Sequence, residues 1–350
     1  MGGFKIGDRY VGPDSPVFII AEAGVNHNGD TSIAKKLIDV AKDSGADAIK
    51  FQSFIAEELA IPELKKAPYQ DKGDAETQLE MLQKLELSEA DVRELQDYCK
   101  EKGILFLSTP FDFKSADRLE KQGVAAYKIS SGDLNNYPFL SYVAKKGKPM
   151  ILSTGMSNWG EIEKAIDSIV GEGNKTLVLL QCTTDYPAKF EDINLNAMIS
   201  MRERFDFLIG FSDHTPGIEA SIAAAALGAK VIEKHFTLDR ELPGPDHKAS
   251  LSPDELRRLI SSIRHVEAAL GSPEKKASQS EKTIMAVVRK KIVASSNIPV
   301  GTILSMDTIA LKRSENGLDP EHLGKLLGKK TKRNINSNEA ISLADVEESE

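Results

Sequence analysis

Short apolar runs rich in β-branched residues alternate along the chain with longer amphipathic stretches. The runs fall at residues 17–21, 48–52, 104–108, 126–130, 150–153, 177–181, 207–211 and 231–234. Each is strand-length and bounded by turn or polar residues. Between and after them, residues 31–44, 88–102, 114–121, 137–146, 158–171, 195–204, 217–227 and 253–270 carry apolar positions at helical spacing. The punctuation agrees. Asp30 stands as an N-cap, Gly45 as a C-cap, and Ser252-Pro253 pairs an N-cap with a first-turn proline. Strand–helix units in series require right-handed crossovers and a parallel sheet. Eight such units in about 250 residues predict a closed (β/α)8 TIM barrel over residues 1–270. An open doubly wound sheet is the alternative, but no G-x-G-x-x-G follows the first run.

Past residue 270 the pattern changes. Residues 271–283 are polar, contain Pro273 and read as a linker. Residues 284–350 hold short apolar pieces at 287–294, 303–309 and 340–343 between turns such as Asn316-Gly317, which predicts a small β-rich module. Within the barrel, residues 58–78 are long for a connection, and such loops are usually functional or mobile.

Composition narrows the function classes. In 350 residues, 45 Lys and Arg stand against 53 Asp and Glu, a net charge of −8, so there is no electrostatic footprint for nucleic acid. Two cysteines, Cys99 and Cys182, exclude a cysteine-only zinc site and a disulfide scaffold. The N-terminus lacks an apolar signal segment, and no run of 18 apolar residues occurs, so a soluble, cytoplasmic protein is expected.

A barrel carries its active site at the C-terminal ends of its strands. Polar residues follow all eight runs: Glu22 and His27, Lys50 and Gln52, Thr109, Lys128 with Ser131, Ser153, Gln181 to Thr184, Ser212 with His214, and Glu233 with His235. Period-two alternation aims Lys50 and Gln52, and likewise Ser212 and His214, at the axis. His214 and His235 end neighbouring strands about 4.8 Å apart. Both imidazoles can reach one divalent cation with open positions for water and substrate, which fits Mn, Fe, Co or Zn better than Ca. Two inward ammonium groups need anions. With the hydroxyls of Thr109, Ser131, Ser153 and Ser212 they suit a ligand bearing phosphate and carboxylate; salt bridges to Glu22 or Asp133 are the plainer alternative. Glu22 is a candidate acid or base. Cys182 has no evident base partner and reads as a small packed residue. His265 and His322 read as surface residues.

The motifs at residues 20–29 (Ile-Ala-Glu-Ala-Gly-Val-Asn-His-Asn-Gly), 50–54 (Lys-Phe-Gln-Ser-Phe), 107–111 (Leu-Ser-Thr-Pro-Phe), 210–214 (Gly-Phe-Ser-Asp-His), 232–236 (Ile-Glu-Lys-His-Phe) and 244–247 (Gly-Pro-Asp-His) resemble those of the sialic acid synthases. The tail, with Lys312-Arg313 and Asn316-Gly317, resembles their antifreeze-like (SAF) domain. The resemblance implies a transferase that condenses phosphoenolpyruvate with an open-chain N-acyl amino sugar, in a homodimer that swaps its C-terminal domains. It implies a metal, Mn2+ first and Mg2+ or Co2+ after it, on His214 and His235. It places phosphoenolpyruvate against Lys50, Thr109, Lys128, Ser131, Ser153 and Ser212, with Glu22 as acid or base. The sugar falls to Gln52, Asp133, Tyr186 and Asp246, and to Arg313 reaching in from the partner subunit.

Four positions depart from the family pattern: Asp133 for Glu, Thr184 for Asn, and Ser314-Glu315 for Pro-Gly. N-acetylmannosamine, giving N-acetylneuraminate, is the first expectation for the sugar. The legionaminate precursor, 2,4-diacetamido-2,4,6-trideoxymannose, is the alternative, and pseudaminate synthesis comes third. Residues 68–70 are a candidate determinant of that choice. Two readings of other classes are a Schiff-base aldolase using Lys128 or Lys50, and a non-catalytic sugar-binding protein.

Overall fold

All eight predicted strands form. In a computed structural model that describes residues 2–66 and 77–348, they are β3 (Phe18–Gly24), β4 (Ala48–Ser53), β5 (Leu105–Pro110), β6 (Tyr127–Ile129), β7 (Met150–Ser153), β8 (Leu177–Cys182), β9 (Leu208–Asp213) and β10 (Val231–His235). They make one parallel sheet in the order β5-β4-β3-β10-β9-β8-β7-β6. First and last strands pair, β3 with β10, and β5 lies beside β6 at the seam, so the sheet curls into a barrel. The chain divides into two compact units, one ending at Gly271 and one beginning at Ser272.

Alternation sorts the strand residues into two layers. Ile19, Ile49, Phe51, Ile129, Leu152, Phe211 and Ile232 face outward and pack on the surrounding helices. Phe18, Ile20, Ala48, Leu107, Ile151, Val178, Leu180, Leu208 and Val231 face inward and fill the lower barrel. The inward position after each apolar layer is polar: Glu22 follows Ile20, Lys50 follows Ala48, Lys128 follows Ala126 and Glu233 follows Val231. The helices that cover the barrel are α1 (Thr31–Ser44), α4 (Glu89–Lys102), α5 (Phe113–Lys121), α6 (Tyr137–Ala144), α7 (Trp159–Val170), α8 (Asn196–Arg204), α9 (Glu219–Ala226) and α10 (Pro253–Leu270). Asp30 caps α1 by accepting from Ser32 N–H, Gly45 ends it at φ 88°, and Ser252 caps α10 in a reciprocal pair with Glu255.

The pattern did not predict five elements, two strands and three α-helices. An N-terminal hairpin, β1 (Phe4–Ile6) with β2 (Arg9–Val11), sends Ile6 and Val11 into the lower barrel layer. At the two ends of the long connection stand α2 (Ala56–Leu59) and α3 (Gln78–Leu85), and Met81, Leu82 and Leu85 of α3 pack with Val25 and Phe54. Residues 68–70 lie outside the described residues. In the second unit, α11 (Gln279–Val288) occupies the end of the stretch read as linker and the start of the expected strand at 287–294. Ser278 and Glu281 form a capping box there, a local helix signal that the polar composition masked. The strand begins later, as β11 (Lys290–Ala294), antiparallel to β12 (Ile309–Arg313) over a small core that includes Ile292, Leu304, Leu326 and Ile335. No helix among the described residues is long and apolar enough to cross a membrane.

Removing a buried aliphatic group costs its transfer energy plus a cavity. Ile6, fully enclosed where the hairpin closes the barrel floor, gives a direct test. We expect Ile6→Ala to lower stability by about 2–4 kcal/mol in urea unfolding, with substrate turnover unchanged at 25 °C.

Candidate active site

A cavity of about 400 Å3 opens at the C-terminal ends of the strands. Glu22, Lys50, Gln52, Lys128, Ser131, Asp133, Ser153, Tyr186, Ser212, His214, His235 and Asp246 all line it. Thr109 stands behind the wall, its hydroxyl accepting from Lys50 Nζ at 2.7 Å. Arg313 belongs to the second unit, exposed on β12. Two of the other histidines are elsewhere: His265 lies on α10 and His322 in a short 3-10 turn, whereas His27 is fully buried and accepts the Gly29 N–H.

The lysines are held by carboxylates, and one of these the sequence reading left without a role. Glu233 faces Ser212 across β9 and β10 and accepts its hydroxyl at 2.8 Å. Its oxygens lie 3.5 Å from Lys128 Nζ and 3.8 Å from Lys50 Nζ. Lys50 also meets Glu22 at 2.8 Å, and Lys128 donates to Ser153 at 2.7 Å. Asp133 makes neither salt bridge. It accepts from Asn136 and Ser130, on the 3-10 turn that follows β6. The signal for Glu233 was its place two residues before His235 on the same face of one strand.

Electrostatics split the two glutamates. Burial works against ionisation of Glu233, but Lys128, Lys50 and the Ser212 hydroxyl outweigh it and bring the group down to about 2. Burial dominates at Glu22, assisted by Glu233 and only partly opposed by Lys50, and raises it to about 7. One carboxylate is a fixed anion; the other exchanges a proton near neutrality. Burial likewise raises Asp246 to about 6.

The two imidazoles meet as expected, with ring centroids 5.4 Å apart. Tyr186 packs on both, 4.1 Å from the His214 ring and edge-on to His235 at 5.6 Å. The Nδ1 of His214 donates to the Thr183 carbonyl at 2.7 Å, which leaves its Nε2 lone pair for a ligand. That bond also answers the question of Cys182. Its sulfur, on the cavity wall, is 3.8 Å from the same nitrogen, and against the effect of burial His214 brings the thiol below its ordinary range, but the Nδ1 hydrogen is committed to Thr183, so that nitrogen takes no proton from the thiol. His235 Nδ1 is buried without a hydrogen-bond partner, and burial beside His214 and Lys50 holds the ring well below its usual range, hence neutral. Two imidazoles, one oriented by a carbonyl and one neutral with an orphaned nitrogen, fit a divalent metal. Among the described residues no third His, Cys, Asp or Glu completes a closed ligand set.

Gly24 brings the two halves together. At φ 52°, its missing Cβ would sit 3.3 Å from Glu22 Oε1 and 3.4 Å from both Asp246 Oδ2 and His235 Cε1. The backbone passes where a side chain would fill the space between acid, carboxylate and imidazole.

A barrel with an acid–base carboxylate, paired lysines and two open-ended imidazoles defines an enzyme of small anionic substrates. Residues 37–275 match the model of the NeuB family and residues 289–347 that of the SAF domain. The chain is 50% identical to N,N'-diacetyllegionaminic acid synthase of Campylobacter jejuni, over 92% of this chain and 98% of that protein. It is 42% identical to human N-acetylneuraminate-9-phosphate synthase, over 95% and 93%. A crystal structure of N-acetylneuraminic acid (sialic acid) synthetase from Leptospira borgpetersenii, in complex with citrate, superimposes with a TM-score of 0.74 at 36% identity, covering 81% of this chain and 95% of that one. The chain therefore belongs to the NeuB family of sialic, legionaminic and pseudaminic acid synthases, transferases that condense phosphoenolpyruvate.

Gly24→Ala should leave the barrel folded, at a cost of about 1–2 kcal/mol for the left-handed backbone, yet reduce turnover at least tenfold. Circular dichroism melting and kcat measured on one preparation check both halves; a full-rate variant would deny the close approach any importance.

Proposed function

We propose that this protein condenses phosphoenolpyruvate with an N-acyl amino hexose to give a nine-carbon 2-keto acid and phosphate, and that the sugar is 2,4-diacetamido-2,4,6-trideoxymannose. The observation that carries the reaction is the convergence of His214, His235, Lys50, Lys128 and Glu22 on one cavity. With Glu233 ionised and Glu22 partly protonated at neutral pH, these two carboxylates do not fully neutralise the two lysines. Lys50, Lys128 and the hydroxyls of Ser131, Ser153 and Ser212 bind the phosphate and carboxylate of phosphoenolpyruvate, and Thr109 steadies Lys50. Gln52, Asp133, Tyr186 and Asp246 hold the sugar, aided by Arg313 of a partner subunit in a domain-swapped homodimer.

A divalent metal on His214 and His235, Mn2+ first, would polarise the sugar aldehyde. Carbon 3 of phosphoenolpyruvate attacks that carbon. Water then adds at carbon 2, and phosphate departs by C–O cleavage. Glu22, near 7 and 2.8 Å from Lys50, is placed to accept and return the proton.

Two observations favour the diacetamido sugar over N-acetylmannosamine, the reverse of the first expectation, which rested on N-acetylneuraminate synthesis being the commoner assignment. One is the 50% identity to the Campylobacter jejuni legionaminic acid synthase, against 36% for the Leptospira borgpetersenii N-acetylneuraminic acid synthetase. The other is the side of the cavity made by Val25, Leu59, Met81, Leu82, Leu85 and Phe111, apolar apart from Gln78 at the start of α3. Such a wall accommodates the 6-methyl group of a deoxy sugar, whereas it strands the 6-hydroxyl of N-acetylmannosamine.

The decisive experiment is a panel of three sugars, N-acetylmannosamine and the two diacetamido precursors, mixed with phosphoenolpyruvate and Mn2+ and read by phosphate release and product mass. We expect the legionaminate precursor to have the highest kcat/KM, EDTA to stop turnover, and borohydride with pyruvate to trap no adduct. Phosphate release from none of them would leave only a binding protein, and a trapped adduct would make it an aldolase.

Sharing of the site between subunits is tested by mixing inactive variants. Arg313→Ala and Glu22→Ala subunits, combined in verified mixed dimers, should recover a measurable part of the activity that each lacks alone. Mixed dimers as inactive as the parents would remove Arg313 from the partner's site.

A further inference from the structure

Asp213 and Lys234 are directly opposed residues of β9 and β10, and their side chains are wholly buried. Ser212 and Glu233 on one side of them, and His214 and His235 on the other, face the cavity. Alternation therefore turns this pair outward, toward the helices. Lys234 Nζ lies 3.0 Å from Asp213 Oδ2, which also accepts the Ser221 hydroxyl of α9 at 2.6 Å. Asp213 Oδ1 accepts both the N–H and the hydroxyl of Thr215 at 2.8 Å, and Lys234 donates to the Thr215 carbonyl at 2.5 Å. Both backbone groups of the residue that follows His214 are thus held, one from each strand.

We propose that the Asp213–Lys234 pair is the positioning device of the metal site: it ties the turn after His214 to the strand that ends in His235 and so fixes the separation of the two imidazoles. This rests on the metal reading above. A buried ion pair contributes little net stability compared with a well-packed apolar pair. The hydrogen bonds to residue 215 give it a geometric task that an apolar pair cannot perform. Outer groups that orient ligand histidines typically change metal affinity 10–100-fold when removed.

The test uses the full-length protein, titrated with Co2+ and followed by its visible ligand-field absorption, alongside thermal unfolding of the metal-free form. Wild type should bind one Co2+ per chain, and His235→Ala should lose it. Lys234→Met should weaken Co2+ binding at least tenfold and shift the absorption band. Ile6→Ala, destabilised on the barrel floor, should keep both affinity and band. If Lys234→Met does not fold, Asp213→Asn is read in the same way: it keeps one oxygen for Thr215 and loses the second, and should show the band shift with a smaller loss of affinity. Wild-type affinity and spectrum in a folded Lys234→Met, or in Asp213→Asn where that is the variant read, would reduce the pair to a structural contact. A wild type that binds no Co2+ would instead overturn the metal reading, and this inference with it.

Discussion

Four charges sit at the mouth of the barrel where water is largely excluded: Lys50, Lys128, Glu22 and Glu233. Taking isolated ions out of water costs several kcal/mol each, so none of the four is tolerable alone. Glu233 reaches both ammonium groups and Glu22 reaches Lys50, which makes the set nearly neutral and mutually satisfied. A core built for stability would hold aliphatic residues here, as the layer below does. Retaining the charges gives a preorganised pair of cations whose counter-ions are graded. Glu233 is fixed as an anion, and Glu22 is free to take a proton when a more acidic ligand arrives.

That arrangement depends on the strictness of strand alternation. Along β3, β4, β6 and β10 the inward residue changes from apolar to charged within one step of two, with no irregularity until the bulge between Glu22 and Gly24. There the register shifts, and Gly24 supplies the positive φ and the missing Cβ that let Glu22, Asp246 and His235 approach. The outward residues of the same strands are not passive. On β9 and β10 the apolar outer row is interrupted once, by Asp213 and Lys234, immediately beside the two imidazoles.

The barrel was legible because its two signals, strand-length apolar runs and helical spacing, are local and repeat eight times. The site was legible for the same reason: a residue's place at the end of a run, together with its parity, determines whether it faces the axis. What escaped has physical causes. The β1–β2 hairpin is six strand residues whose burial comes from the barrel floor, so its own pattern carries little information. Helix α11 is capped locally but buries no residue, and without a buried face the apolar periodicity has nothing to enforce. Glu233 was visible as a polar strand-end residue, yet its partners come from β4 and β6, distant in sequence. Parity alone gives the direction of a side chain and not its counter-ion.

Under the proposed function, part of the substrate choice falls to the portion of the site that alternation does not govern. The axial groups are those any phosphoenolpyruvate–aldehyde condensation needs, and they come from strands. The apolar wall comes instead from the long connection after β4, where α2 and α3 fold back with Val25 and Phe111 into a satellite core. Connections vary more freely than strands without disturbing the barrel. On that reading a wall of Leu59, Met81, Leu82 and Leu85 would discriminate mainly by penalising a hydroxyl it cannot bond, and methyl-for-hydroxyl selection of this kind is modest, about 10–200-fold. Stronger selection requires a polar group bonded to a feature that only the true sugar has. If the sugar is the proposed diacetamido one, such a group would have to reach its 4-acetamido substituent, and among the cavity residues Gln52 on β4 and Asp133 after β6 have amide and carboxyl groups suited to an N-acyl function.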